Sequence, residues 1–276
     1  MRSSLDDSYC VHPWGDNIII RTVPTISVGD YQIGTTFSAA DFQVPTANSI
    51  ELPIDKAKYA LWRSDTVDIY QSDLDLASIF ADEASQQLQI AMDTDLLENI
   101  PAQITVNQGA TAGRKSGNVD LGTDAVPIGV TEDNVVKKIL NLGRVLDEQN
   151  VPNTDRWIVV PAWMVELMKN SVLRSVDVSG DSQSMLRSGL VGQFDRFKVY
   201  QSNVLSAIDG AGADDYFNVM AGHSAGLAWA SQITEISVDS NPYGFGQLMK
   251  ALCVYGFKVV EPKYLALLRC FEDTSA

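Results

Sequence analysis

Apolar and polar positions are most legible between Thr131 and Asn170. Val135, Ile139, Leu142 and Leu146 recur at spacings of four, three and four, which puts them on one face of a helix. Thr131 is a candidate cap, and Glu132 and Asp133 suit the positive end of that helix. Asn150 and Pro152 stop it, and a polar turn of Asn153, Thr154 and Asp155 follows. Arg156-Trp157-Ile158-Val159-Val160 then reads as a short strand with apolar residues on both faces. Pro161 opens a second helix, predicted over Ala162 to Asn170.

Upstream, Asp73 to about Glu98 reads as a long helix with a narrow stripe of Ala77, Phe80, Ala84, Leu88 and Ala91. Ser72 or Asp73 can cap it, and Pro101 lies just past its end. A narrow stripe predicts a helix lying on a sheet with its other side polar. From Asn17 to about Gln71 the pattern is strand-like, at Ile18 to Ile20, Ile26 to Val28, Glu51 to Ile54, Tyr59 to Arg63 and Thr66 to Tyr70. Gly29-Asp30, Gly34 and Pro45 punctuate it. A long hairpin without its own core needs a partner surface.

Further strands are predicted at Ile104 to Val106, Phe197 to Tyr200, Tyr216 to Met220, Gly226 to Ala230, Ile233 to Val238 and, within the apolar run Leu248 to Val260, at Ala251 to Val260; the apolar stretch Leu265 to Phe271 closes the chain. Residues 108–122 and 175–192 read as flexible polar loops.

The chain has 276 residues, 45% of them hydrophobic, enough for one or two packed cores. Its 35 acidic against 20 basic residues give a net charge of −15. Nucleic-acid affinity depends on Lys and Arg, so the overall charge argues against tight DNA binding. An ordinary acidic protein carries such a charge equally well, and the charge alone does not choose a function. Cys10, Cys253 and Cys270 are widely spaced and predict free thiols rather than a disulfide framework or a metal knuckle. No run of 18 apolar residues exists, so no membrane-spanning helix is predicted. Residues 1–7 lack the apolar core of a signal peptide, and cytoplasmic production is expected.

Candidate chemistry is sparse. Asn107 to Ser116 looks like a phosphate-binding loop, but Arg114 stands where the motif needs glycine before Lys115. Asp73, Asp75, Asp82, Glu83, Asp93 and Asp95 lie on or near the long helix, and a solvated or inter-subunit polar face explains them better than acid–base chemistry. His12 and His223 are the only histidines, and no G-x-S-x-G elbow accompanies His223-Ser224. His223 sits in Gly222-His223-Ser224-Ala225-Gly226, which reads as a tight turn. No catalytic residue, cofactor or metal site is predicted.

The order "LDEQNVPNTDRWIVVPAWMVELM", "GQFDRFKVYQSN", "AGHSAGLAWASQITEI" and "GFGQLMKALCVYGFKVVEPKYLALL" closely resembles the major capsid proteins of tailed bacteriophages. The resemblance runs over nearly the whole chain after the first dozen residues. It implies an α+β fold with an N-terminal arm (1–16) and an extended β loop (17–71) that lies over a neighbouring subunit. It further implies a peripheral domain (72–125 and 233–253) with the long helix as its spine. An axial domain with a central sheet flanked by helices (126–232 and 254–276) completes the implied fold. Pentamers and hexamers would build an icosahedral shell around double-stranded DNA, without sequence-specific binding and without a membrane. Portal, scaffolding and decoration proteins are the implied partners, and assembly would take place in the host cytoplasm. Tyr31, Phe37, Phe42, Tyr59, Trp62 and Arg63 are then the candidate inter-subunit contacts. Lys56 and Lys58 lie in the extended β loop, or β arm, of 17–71 with no acid and asparagine beside them in sequence, so no covalent cross-link is predicted. Two alternatives stand beside this reading. One is an encapsulin-like compartment shell around a protein cargo; the other is an unrelated enzyme using the acidic helix.

Overall fold

The computed structural model describes residues 17–21, 26–38, 42–44, 49–65, 76–179, 192–210, 215–242 and 244–273. The expectations for residues 1–16, for Thr66 to Tyr70, for the Ser72 or Asp73 cap and for most of loop 175–192 lie outside them.

The strands are β1 (Asn17–Arg21), β2 (Ser49–Pro53), β3 (Lys56–Ser64), β4 (Ile128–Val130), β5 (Arg156–Val160), β6 (Gln193–Phe194), β7 (Phe197–Gln201), β8 (Phe217–His223), β9 (Leu227–Ser240), β10 (Gln247–Val259) and β11 (Leu265–Glu272). The helices are α1 (Leu76–Asn99), α2 (Val135–Glu148) and α3 (Ala162–Ser179). A six-stranded sheet runs in the order β4-β11-β8-β5-β7-β6, and a three-stranded antiparallel sheet in the order β3-β10-β9. Strands β1 and β2 form a separate ribbon.

Both faces of the six-stranded sheet are covered. Strand β5 is buried at every position, as a strand between two cores must be. Ile158 and Val160 join the cluster under α2 and α3, with Ile139, Leu142, Met164, Phe197 and Leu268. Trp157 and Val159 join a second cluster with Met92, Leu96 and Ile100 at the end of α1, and with Trp229, Tyr255 and Phe257 of the long sheet. That second cluster ties the two sheets together. Here Trp229 stacks on Tyr255 with ring centroids 5.0 Å apart. Asp95 of α1 accepts from the Tyr255 hydroxyl at 3.0 Å and from Lys56 Nζ at 2.8 Å. Strand β2 presses on β10 so closely that a side chain at Gly256 would strike the Pro53 carbonyl.

Several local expectations are corrected. Asn134, not Thr131, holds the N-cap position of α2, and its side chain makes no bond to the helix: it accepts from the Thr131 N–H at 3.0 Å and donates to the Gly129 carbonyl, closing a turn that holds Glu132 and Asp133. Its far end is a Schellman motif. The Val151 N–H reaches the Leu146 carbonyl, the Asn150 N–H reaches Asp147, and Asn150 takes a left-handed φ of 58°. Helix α3 runs to Ser179, well past Asn170, because nothing after Asn170 breaks a helix until the glycine at 180.

Two strand expectations fail. Residues 26–28 are not a strand: the Gln43 side chain replaces a ladder there, accepting from the Ser27 N–H at 3.0 Å and donating to its carbonyl at 2.9 Å. Residues 104–106 are irregular and follow a turn of 3-10 helix at Pro101–Gln103. The strands expected at Gly226 to Ala230 and Ile233 to Val238 are one continuous strand, β9.

Loop 108–122 is held rather than loose. Ala112 and Val119 pair as a bridge, and Leu121 is fully buried. The Glu148 carboxylate accepts from the Lys115 and Ser116 N–H groups at 2.9 and 3.0 Å and from the Ser116 hydroxyl. These bonds hold Glu148 down to a pKa of about 2, the Ser116 N–H contributing most.

Candidate inter-subunit surface

The side chains of β3 alternate between two environments. Lys56, Lys58, Ala60 and Trp62 face the side covered by α1, as the Lys56–Asp95 ion pair fixes. Ala57, Tyr59, Leu61 and Arg63 face the other way. Register places Leu252 opposite Tyr59, Lys250 opposite Leu61 and Leu248 opposite Arg63. On the far side of β10, Glu235 is opposite Leu252 and Asp239 opposite Leu248. The result is an open sheet face with an apolar strip along β3 and β10 and acids along β9. Tyr59 is 71% exposed and Leu61 64%. Lys250 pairs with Asp239 across the strands.

The arm adds a second exposed apolar set. Gln32 and Thr35 close a turn, with Gly34 at a φ of 95°. Behind that turn Tyr31 and Phe37 stack, with ring centroids 6.2 Å apart. Their stack is solvent-facing, and Ile26, Val28, Ile33, Phe42 and Val44 are exposed around it. Helix α1 contributes a third set. Only its C-terminal half is buried, through Met92, Leu96 and Leu97, whereas Ile79, Phe80 and Ile90 stay exposed. Of the stripe that the sequence suggested, Ala84, Leu88 and Ala91 are half-buried, Phe80 is exposed, and full burial is reached only at Met92 and Leu96, which the stripe did not include.

The six candidate contacts thus separate. Tyr31 and Phe37 sit together on the arm, with Phe42 also exposed there; Tyr59 and Arg63 share the open sheet face. Trp62 lies on the opposite, helix-side face, half-buried, with no hydrogen-bond partner for its indole N–H. Sequence reading missed Leu61, Leu248 and Leu252, although the alternation in "KAKYALWRS" carried the signal for Leu61.

The acids of α1 also divide. Asp95 is committed within the chain, to Lys56, Tyr255 and Asn99, so for it the solvated-face expectation fails. Likewise Lys56 has the acid and the asparagine nearby in space that sequence could not show. The Nδ1 atom of His223 accepts from the Ala225 N–H at 3.1 Å, which commits that nitrogen to the turn. Burial lowers the pKa of this imidazole and raises that of the Cys270 thiol to about 12. Among the described residues no cluster of three metal-ligating side chains occurs.

Comparison with known proteins converges on one family. A model of the phage capsid protein family matches residues 51–268. A solved structure from Mycobacterium phage Che8 is 25% identical and superposes with a TM-score of 0.74, covering 97% of this chain and 89% of that one. The capsid structure of the cyanophage P-SCSP1u is 15% identical, with a TM-score of 0.70 over 96% of this chain and 86% of that one. The mature capsid of bacteriophage PhiM1 is 16% identical, with a TM-score of 0.62 over 95% and 83%. No curated protein matches the chain. With a family match over most of its length and the same α+β fold, the chain belongs to the phage capsid protein family and is a structural subunit of a virion shell.

Proposed function

We propose that copies of this chain assemble through pentamers and hexamers into an icosahedral shell that encloses double-stranded DNA. The six-stranded sheet with α2 and α3 acts as the axial unit around capsomer centres. The three-stranded sheet with α1 acts as the peripheral unit, and the arm within 17–71 lies across a neighbour. Portal, scaffolding and decoration proteins complete the particle, which assembles in the host cytoplasm.

One observation supports this most: large apolar side chains lie exposed on the arm, the open sheet face and the outer half of α1, while the axial core is fully buried. Exposed apolar surface on this scale marks an interface. A shell supplies the cover, because each subunit meets several neighbours at once.

Electron microscopy of the purified full chain, alone and with co-expressed phage assembly partners, tests the proposal. Closed shells or capsomer-sized rings are expected. A small oligomer that never forms rings under either condition overturns it. Shells filled with protein cargo instead of DNA would move the reading to a compartment.

A further inference from the structure

The assembly reading leaves one surface without a role. Helix α2 buries Val135, Ile139, Leu142, Val145 and Leu146 against the sheet and turns its other side outward. That outward side carries Lys137, Lys138 and Arg144, which with Asn118, Asp120 and Asn141 line an open cleft of about 290 Å³. The loop pinned by Glu148 brings Arg114 and Lys115, both exposed, to the C-terminal end of the helix, where Arg144 also bonds Glu148. Five of the chain's 20 basic residues therefore share one face of a molecule with a net charge of −15.

Most of these cations are not used inside the subunit. Arg144 bonds Glu148 at 3.1 Å. No ion pair among the described residues involves Arg114, Lys115, Lys137 or Lys138. The acids nearby are spoken for as well. Glu148 serves the loop and Arg144. Asp120 accepts from the Gly122 N–H at 2.9 Å, and Glu132 accepts from the Asn170 side chain at 3.1 Å.

We propose that this face of α2, with the 113–118 loop, is where the shell subunit lies against the DNA backbone. The proposal rests on the shell reading above and names the surface that faces the genome. Lys137 and Arg144 are about 10 Å apart along the helix, enough to reach separate phosphates of a duplex that carries one per roughly 3.4 Å of its axis on each strand. Lysine is depleted from protein–protein interfaces, whereas nucleic-acid interfaces are strongly positive and polar. Leu140 is the one large apolar side chain exposed on α2, in contrast to the arm and the open sheet face. The acidic remainder of the subunit repels phosphate, so contact is confined to this face and stays weak and salt-sensitive.

The test is fluorescence anisotropy of a labelled 30-base-pair duplex titrated with the full-length protein across a series of low salt concentrations. Each phosphate contact contributes about 0.9 to the slope of log affinity against log salt. Lys137→Gln with Lys138→Gln is expected to reduce that slope by about two. Arg114→Gln with Lys115→Gln, which leaves α2 untouched, is expected to do the same. A control pair of equal charge change, Lys58→Gln with Lys250→Gln, leaves the slope unchanged. Absence of wild-type binding at low salt, or equal losses in the control, overturns the proposal. So does a variant that keeps its DNA slope but no longer closes shells, which would assign the face to an acidic neighbouring subunit. Because the titration does not need closed shells, a failure of shell formation by the wild type counts against the assembly reading separately.

Discussion

The six-stranded and three-stranded sheets treat apolar side chains in opposite ways. In the first, Trp157, Ile158, Val159 and Val160 are all fully buried between two layers. In the second, Tyr59 and Leu61 stand exposed on a face that no described element covers. The first sheet is covered on both faces by the chain itself, partly by α1 and the long sheet; the second keeps one face exposed. Stability and assembly are thus encoded in different places, and mutations can separate them.

The largest effect is expected at the first sheet. Trp157→Ala removes a fully buried indole from the cluster that joins both sheets and should cost about 3–5 kcal/mol, giving insoluble protein. A soluble variant with an unchanged melting temperature would break the comparison. Next, replacing residues 26–44 by a short Gly-Ser linker should leave the melting temperature intact and abolish shells by electron microscopy. Intact shells would remove the arm from the assembly argument. Tyr59→Ser with Leu61→Ser should change folding stability by less than about 0.5 kcal/mol, as surface substitutions do. The same pair should lower the yield of closed shells in a sedimentation assay, and a normal yield would show that the open face is not covered.

The smallest effect concerns the loop anchor. Glu148 is depressed in the folded state, so its contribution is complete above the ordinary carboxylate value of about 4.5 and is lost as pH falls through about 2. Amide chemical shifts of Lys115 and Ser116 should therefore titrate near 2, and a midpoint near 4.5 would show that the carboxylate does not hold the loop.

The same contrast explains what the sequence made legible. The stripe of Val135, Ile139, Leu142 and Leu146 was readable because it buries one helix face with a strict period, and the run Trp157 to Val160 because a strand covered on both faces is apolar at every position. The burial of Arg156 was not. Its guanidinium is wholly enclosed, donating to the Val151 and Pro152 carbonyls at 2.7 and 2.8 Å and pairing with Asp147 at 2.8 Å. A charged residue at a strand start reads as surface until a helix C-terminus is seen to need its donors. The arm was misread at Ile26 to Val28 because β-formers report side-chain packing, and here a Gln43 amide stands in for a neighbouring strand. The open face was partly hidden because register, not sequence, brings Leu252 opposite Tyr59.

Strands β9 and β10 pair along their length, but the register slips between Val254 and Tyr255, where Gln232 is an extra residue on β9. A bulge twists a ribbon and interrupts its ladder. This one sits where the ribbon leaves the aromatic cluster of Trp229, Tyr255 and Phe257 and enters the exposed half of the sheet. The extra residue adds local twist, so the outer ribbon leaves the aromatic cluster at a different angle from the inner one, while Met249, Ala251 and Cys253 keep its helix-side face buried.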